Sequence, residues 1–215
     1  MTGCLEARDL VFAYPGSNVP VIDGLSLAVG AEERVALHAP SGSGKTTLGR
    51  LLAGYLAPLA GEVLLDGAVL PRRGMCPIQL IGQHPELVCD PRMRMRDVLK
   101  EAGTPDEEVF DGLGIRREWL ARYAHELSGG ELQRFCIARA LAARARFLIA
   151  DEITTMLDAV SQAQLWRFIL DKAAADGIGI VFVSHSPALV SRVATRVVAL
   201  RASASASALF LSPRA

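Results

Sequence analysis

The chain has 215 residues, 51% of them hydrophobic, and its 23 basic and 23 acidic residues give a formal net charge of zero. This length suits one domain, or one core with an inserted lobe. The neutral balance excludes a global field that would favour nucleic acid. The longest apolar stretches, such as 178–183, are far too short to cross a bilayer, and no signal peptide is expected at the N-terminus. Any membrane role is therefore expected to depend on a partner.

The cysteines are interpreted as free thiols of a reducing compartment. None belongs to a C-x-x-C pair, and no histidine lies at metal-ligand spacing from one. The four are Cys4, Cys76, Cys89 and Cys136. The sequence therefore predicts no zinc site and a cytoplasmic location.

The first third of the chain predicts strands, a Gly-rich loop and a helix. Apolar and polar side chains alternate at the start, and a compact apolar run leads into the loop. An Asp-Gly pair indicates a hairpin. In chain order, the predicted elements are strands within 3–30, a strand at 34–38, a helix at 45–55, a hairpin at 62–70 around Asp66-Gly67, and a strand end at 79–83.

The remainder of the chain begins with a charged segment, 88–125, whose pattern is helical. Strands and helices then alternate, which favours a mostly parallel sheet covered on both faces. The predicted elements are helices at 93–100, 105–110 and 117–123, a helix at 130–143, a strand at 147–150, a helix at 161–175, a strand at 178–183, a helix at 187–195 and a strand at 196–200. The Ser/Ala-rich tail is interpreted either as a flexible linker or as a loose hairpin returning through 208–211.

The loop at 39–46 predicts a site for a nucleotide phosphate. It fits the pattern G-x-x-x-x-G-K-[ST] except that Ala39 stands at the first position. Backbone N–H groups and the start of the following helix would face phosphate oxygens. Lys45 would reach the β- and γ-phosphates, and Thr46 would offer its hydroxyl to Mg²⁺. Ala39 is harmless if its φ is negative and costs about 1 kcal/mol if the loop requires a left-handed residue.

Two carboxylates end the apolar run 147–150. Ligands of parallel sheets bind at the carboxyl ends of the strands, so Asp151 and Glu152 are expected beside the phosphate loop. Asp151 would hold Mg²⁺, and Glu152 would polarise the attacking water as a general base.

A third motif, Leu127-Ser-Gly-Gly-Glu131, opens a helix just before this strand. Ser128 is a good N-cap, and a helix start attracts anions. Alone, this segment is compatible with an ordinary capped helix. The Gly-rich loop, the LSGGE segment and the Asp-Glu strand, in this order, resemble the ATP-binding cassette (ABC) ATPases.

The resemblance implies an α/β fold: a P-loop NTPase core with a mostly parallel sheet flanked by helices, an antiparallel β subdomain and an inserted helical subdomain. It implies a single ABC ATPase domain. Its expected parts are an antiparallel β part at 1–30 and 60–78, a P-loop core at 31–87 and 126–200, a helical subdomain at 88–125 and a tail at 201–215.

The resemblance also implies roles for individual residues. The phosphates of ATP would bind Ser41, Gly42, Ser43, Gly44, Lys45, Thr46 and Thr47, and Mg²⁺ would bind Thr46, Gln83 and Asp151. Glu152, His185 and Gln83 would be catalytic, and Tyr14 would stack on adenine. Ser128, Gly129, Gly130 and Asp158 would contact the ATP of an opposite subunit, which implies head-to-tail dimerisation.

The runs 127–141 and 151–164 look closest to the branch that imports dipeptides, oligopeptides and nickel. The implied partners are transmembrane permease subunits, a second ABC ATPase and, indirectly, an extracytoplasmic solute-binding protein, with no nucleic acid. The chain would lie in the cytoplasm, peripheral on the inner face of the membrane. Ile153 departs from the pattern, because proline is usual after Asp-Glu, and many members of this branch have a longer C-terminal extension.

Two alternatives remain open at this point. The first is a soluble ABC-type ATPase acting on DNA or ribosomes, which the neutral charge disfavours. The second is a non-catalytic nucleotide sensor, which the presence of both Glu152 and His185 disfavours.

Overall fold

The computed structural model describes residues 3–71, 73–200 and 209–211. In this part of the chain the strands are β1 (Cys4–Phe12), β2 (Ile22–Gly30), β3 (Arg34–His38), β4 (Ala60–Leu65), β5 (Ala68–Val69), β6 (Ile78–Ile81), β7 (Phe147–Asp151), β8 (Gly179–Val183), β9 (Arg196–Ala199) and β10 (Leu209–Leu211). The α-helices are α1 (Lys45–Leu52), α2 (Met95–Lys100), α3 (Glu107–Gly112), α4 (Gly129–Ala142), α5 (Ala159–Asp176) and α6 (Pro187–Val193).

The strands form two sheets. The first is antiparallel, with the order β2-β1-β4-β5, and it includes the predicted hairpin at Asp66-Gly67. The second has the order β10-β9-β3-β8-β7-β6, and all its pairs are parallel except β10 with β9. The predicted fold class is therefore confirmed.

Both faces of the parallel sheet are buried, as the apolar runs predict. Along β7, Phe147 and Ile149 face a cluster shared with the antiparallel sheet and α1. Leu148 and Ala150 face the opposite cluster, which includes residues of α4 and α5. The alternation follows from the two-residue period of a strand. The sheet is thus held between two cores, and its carboxyl edge is fixed in place.

The segment 88–125 contains only helical elements and turns apart from an isolated bridge between Arg94 and Tyr123. α2 lies within the helix predicted at 93–100, whereas α3 begins two residues later and ends two residues further on than the helix predicted at 105–110. The stretch predicted as a helix at 117–123 is instead a 3-10 helix at Arg117–Ala121. Its short length is typical of that helix type, whose hydrogen-bond geometry is poorer than that of an α-helix.

The tail is described only in part. Leu209–Leu211 pairs antiparallel with β9, as the hairpin interpretation expects, while 201–208 and 212–215 lie outside the described residues. None of the described helices is long and apolar enough to cross a membrane.

Candidate functional site

The Gly-rich loop leaves β3 after His38 and enters α1 at Lys45. Gly42 and Gly44 have φ values of +78° and +89°, which side chains disfavour. A Cβ atom on Gly44 would also lie 2.9 Å from Cγ1 of Val21. Ala39 is not among the described residues with positive φ, so its departure from the motif causes no backbone strain.

Two polar side chains of the loop, Lys45 and Ser43, are buried. Nζ of Lys45 donates hydrogen bonds to the carbonyl oxygens of Ala39 and Pro40, at 2.8 and 2.9 Å. The hydroxyl of Ser43 is buried and has no hydrogen-bond partner among the described residues. A buried hydroxyl without a partner costs free energy. A phosphate oxygen at this position would accept its hydrogen bond and lie beside the Lys45 charge.

Thr46 and Asp151 join α1 to the end of β7. The Thr46 hydroxyl donates to Oδ2 of Asp151 at 2.6 Å. Burial raises the pKa of Asp151, and the neighbouring charge of Glu152 adds to the rise, while the Thr46 hydrogen bond opposes it. Among the described residues, no group of three or more His, Cys, Asp or Glu side chains is arranged to hold a metal ion. One carboxylate and one hydroxyl nevertheless fit Mg²⁺, which often takes few protein ligands together with waters and phosphates.

Glu152 occupies a strained turn directly after β7. Its φ is +52°, which is uncommon for a residue with a side chain. Its N–H donates to the carbonyl of Val183 at 3.2 Å, and its Oε1 lies 2.9 Å from Nε2 of His185. Ile153 is 3% exposed and joins the core. The turn is thus held by the neighbouring strand and by a buried anchor although proline is missing.

Some of these residues line one cleft of about 320 Å³. It contains part of the phosphate loop, Glu152 and His185, together with Tyr14. The Tyr14 hydroxyl lies 3.0 Å from Oγ1 of Thr47, and its ring meets Phe12 edge-on with 5.0 Å between ring centroids. Tyr14 is 39% exposed, so its ring is accessible at the rim.

Gln83 lies on the other side of Thr46 and Asp151. It is exposed after β6, and with those two residues it lines a second cleft of about 550 Å³. The wall of this cleft includes apolar side chains of Tyr55, Leu87 and Val88. The predicted magnesium residues Thr46, Gln83 and Asp151 therefore line one cleft together, and Thr46 also lines the first cleft.

The LSGGE segment, 127–131, forms the start of α4, and hydrogen bonds within the segment hold it in place. Ser128 is the N-cap of α4, where its hydroxyl accepts from the N–H of Glu131, and Glu131 accepts from the N–H of Ser128 at 2.8 Å. That backbone hydrogen bond lowers the pKa of Glu131. A Cβ atom on Gly129 would lie 2.5 Å from Sδ of Met156. The segment is therefore rigid and packed closely against the turn that follows β7.

The carboxylate of Asp158 is hydrogen-bonded to residues at the start of α5. Its carboxylate accepts hydrogen bonds from the N–H groups of Val160 and Ser161, both at 3.0 Å, and from the Ser161 hydroxyl at 2.6 Å. These bonds lower its pKa, the Ser161 hydroxyl most of all. Asp158 thus caps α5, and neither it nor the segment 128–130 lines the two clefts above.

Sequence reasoning missed Gln133. Its side chain is 3% exposed, and its Nε2 donates to the carbonyl of Gly82 at 3.3 Å, next to Gln83. A polar residue on the apolar face of a helix was the available signal. Another cleft, of about 620 Å³, lies at the opposite edge of the sheet near Arg144 and Lys172, and none of the predicted site residues lines it.

Comparison with known families agrees with this geometry. The family model described as ABC transporter matches residues 22–155. A Brucella ovis protein whose name describes it as a peptide import ATP-binding protein is 33% identical, over 93% of this chain and 69% of that protein. The glutathione import ATP-binding protein GsiA of Escherichia coli is 32% identical, over 90% of this chain and 36% of that protein.

Solved structures show the same fold. The ATP-binding subunit of an ABC transporter aligns with a TM-score of 0.79 at 24% identity, over 96% of this chain and 90% of that one. A dimeric ATP-binding cassette bound to ADP and inorganic phosphate aligns with a TM-score of 0.80 at 20% identity, over 98% of this chain and 100% of that one. The chain therefore belongs to the ABC transporter family, and its fold is that of the family's ATP-binding cassettes.

Proposed function

We propose that this chain binds ATP in the cleft around Lys45 and hydrolyses it as the energising subunit of an ABC transporter. One observation carries the proposal. Residues of the phosphate loop, Lys45 among them, line the same cleft as the Glu152–His185 pair. A site for phosphates and a carboxylate suited to activating water are thus brought together within one chain.

Binding would use the loop for the phosphates and Tyr14 for the base. The residues from Ser41 to Thr47 would surround the phosphates with backbone N–H groups, hydroxyls and the Lys45 charge. Mg²⁺ would be held by Thr46, Asp151 and Gln83, and when bound it neutralises the charge that develops on the phosphate oxygens.

Hydrolysis would require Glu152 to accept a proton from the attacking water. The strained turn and the hydrogen bond to Val183 hold its backbone at the carboxyl edge of the sheet. His185, whose side chain is 60% exposed, would orient the carboxylate and reach the γ-phosphate from the open side of the cleft.

A second cassette would complete each site. Ser128, Gly129 and Gly130 form a helix start that a reciprocal Ser128–Glu131 capping box holds in place and that lies outside the cleft of its own chain. Such a helix start attracts anions. We infer that it faces the ATP of a second cassette, either another copy or a sister chain, and that Asp158 orders the adjoining turn. A dimer is the arrangement of one solved neighbour.

The names of the relatives support an importer of peptides or similar small solutes. In this proposal the chain lies on the inner face of the membrane, bound to separate permease subunits that receive solute from an extracytoplasmic binding protein. The permease would contact the surface from Gln83 to Arg96, beside the cleft with apolar walls at Leu87 and Val88.

The first experiment measures phosphate release from ATP by the purified chain with Mg²⁺. We expect turnover by the unaltered chain and none by Lys45→Ala, because the phosphates lose their only buried loop cation. A second loop variant, Ala39→Gly, serves as the matched control and should retain turnover, since Ala39 has no strained backbone. Equal phosphate release by all three proteins would contradict the proposed site.

The second experiment addresses the permease surface. Arg92 and Arg96 are exposed, whereas Arg94 stacks on Tyr123 with 4.8 Å to the ring centroid and belongs to the local fold. We expect Arg92→Glu with Arg96→Glu to impair coupled transport more than ATP turnover by the chain alone. Reversal at Arg167, exposed on α5, is the control. Equal loss of both activities, or an equal effect of the control, would contradict this surface.

A further inference from the structure

One face of α4 runs along the segment that follows Gln83. Gln133 donates to the carbonyl of Gly82, and the 3-10 turn Pro85–Leu87 packs against α4. Two turns further on, Arg139 lines the 550 Å³ cleft with Val88. Positions 133, 136 and 139 are three apart and therefore share one face of the helix. Cys136 lies in the middle of this interface.

A second buried thiol, that of Cys89, belongs to the same core cluster as Cys136. Cys89 ends the segment on the other side of the interface, and both side chains are free, buried in the same core cluster, with exposures of 5% and 7%. A hydrogen bond from the Cys136 thiol lowers the pKa of Cys89. The positive charge of Arg139 lowers it further, whereas burial raises it. Cys89 and burial raise the pKa of Cys136. Two free thiols buried in one core cluster, on two segments that pack together, fit the chemistry in which oxidation of one thiol is followed by a disulfide with the other.

We propose that Cys89 and Cys136 are a modification site: an oxidisable pair that forms a reversible disulfide between α4 and the segment after Gln83. The oxidant is a small peroxide, entering from the cleft beside Val88 and Arg139. The Cys89 thiolate attacks one oxygen of hydrogen peroxide, which breaks the O–O bond, gives a sulfenic acid and releases hydroxide. The Cys136 thiol then attacks the Cys89 sulfur and displaces water. Overall, two thiols and one peroxide give one disulfide and two waters.

The disulfide would tie together two parts of the nucleotide site. α4 begins at the Ser128 N-cap, and Gln83 precedes Cys89 by one short turn, so the bond would fix the LSGGE helix against the Gln83 segment. We expect ATP turnover to fall by about tenfold, within the range of coupling between sites. This consequence rests on the proposed ATPase function, whereas formation of the disulfide does not.

The test uses the full chain with Cys4→Ser and Cys76→Ser, which removes the two other thiols and leaves the pair intact. Hydrogen peroxide is added, and intact mass and non-reducing peptide mapping follow the protein while phosphate release is measured. The expected result is loss of two hydrogens, a linked peptide containing Cys89 and Cys136, about tenfold lower turnover, and recovery with dithiothreitol. The control adds Cys89→Ser and should keep its turnover in peroxide.

The absence of a linked peptide would overturn the disulfide site. A linked peptide with unchanged turnover, or equal inhibition of the Cys89→Ser control, would overturn its effect on the nucleotide site. If that control does not fold, the linked peptide in the two-cysteine protein and its reversal by dithiothreitol still decide the question. If the untreated protein lacks turnover but forms the linked peptide, the proposed ATPase function fails and the thiol site stands.

Discussion

The cleft around Lys45 and the helix start at Ser128 differ in how their polar groups are satisfied. In the phosphate loop and the end of β7 beside this cleft, the Ser43 hydroxyl has no partner among the described residues, burial raises the pKa of Asp151, and Glu152 has a φ of +52°. At the helix start, Ser128 and Glu131 bond to each other.

We interpret this difference as one between a reacting site and a preformed contact surface. Strain and unsatisfied polar groups concentrate where a ligand or a reaction compensates for them. A satisfied capping box, in contrast, holds a helix start rigid without any ligand. We therefore expect substitutions in the cleft to change chemistry or nucleotide binding within one chain. Substitutions at Ser128 should act through a second chain.

The largest effect is expected from Glu152→Gln. Turnover should fall about 10²–10⁴-fold because the amide cannot accept a proton from water. ATP affinity should remain, since the phosphate loop is untouched. Phosphate release and equilibrium ATP binding measure the two quantities. Glu62→Gln, on the exposed edge of β4, is the matched control and should behave like the unaltered chain. A loss of turnover of less than about threefold would contradict the role of Glu152 as the general base.

The next effect concerns Ser128. Ser128→Arg should lower turnover about a hundredfold, the scale seen when one preorganised donor to a developing charge is lost. ATP affinity of the monomer should be unchanged. Ser128→Thr keeps both the hydroxyl and the cap, and it should retain turnover. A large drop in the monomer's ATP affinity in Ser128→Arg would place Ser128 in the site of its own chain.

A smaller effect is expected at Tyr14. Tyr14→Ala should raise the KM for ATP about two- to tenfold, which is the scale of an aromatic stacking interaction. Tyr14→Phe removes only the hydrogen bond to Thr47 and keeps the ring, so it should bind ATP nearly as well. Steady-state kinetics of both variants measure this. A larger rise in KM for the phenylalanine variant would show that the hydroxyl, not the ring, binds nucleotide.

The smallest effect is on the stability of the nucleotide-free protein. The pKa of Asp151 is raised in the folded state, so the folded chain binds a proton more readily than the unfolded chain, and its ionised carboxylate reduces stability above the folded pKa. Asp151→Asn should therefore raise the melting temperature at pH 8. The gain should vanish as the pH falls toward the ordinary aspartate pKa. A variant less stable at pH 8 than the parent would contradict the role of burial.

Most of the fold could be predicted because its signals are local. The apolar runs that became β3, β7 and β8 are short and bounded, and the carboxyl ends of parallel strands fall at one edge. Contiguous motifs such as Lys45-Thr46 and Asp151-Glu152 were placed correctly beside each other for the same reason.

Features that depend on contacts distant in sequence could not be predicted. The bond from Gln133 to Gly82 joins residues 51 apart, and nothing near either residue indicates the other. The burial of Cys89 and Cys136 in one core cluster is of the same kind. The helix expected at 117–123 became a 3-10 helix, a difference of hydrogen-bond register that residue periodicity does not resolve.

The contrast between cleft and helix start is tested most directly by mixing two inactive chains. Lys45→Ala damages only its own phosphate loop, and Ser128→Arg damages only the segment offered to a partner. In a mixed dimer one composite site carries both changes, while the other pairs an intact loop with an intact Ser128. We predict that the two proteins, each inactive alone, release phosphate from ATP when they are mixed in equal amounts. No recovery on mixing, when the unaltered chain alone is active, would contradict it.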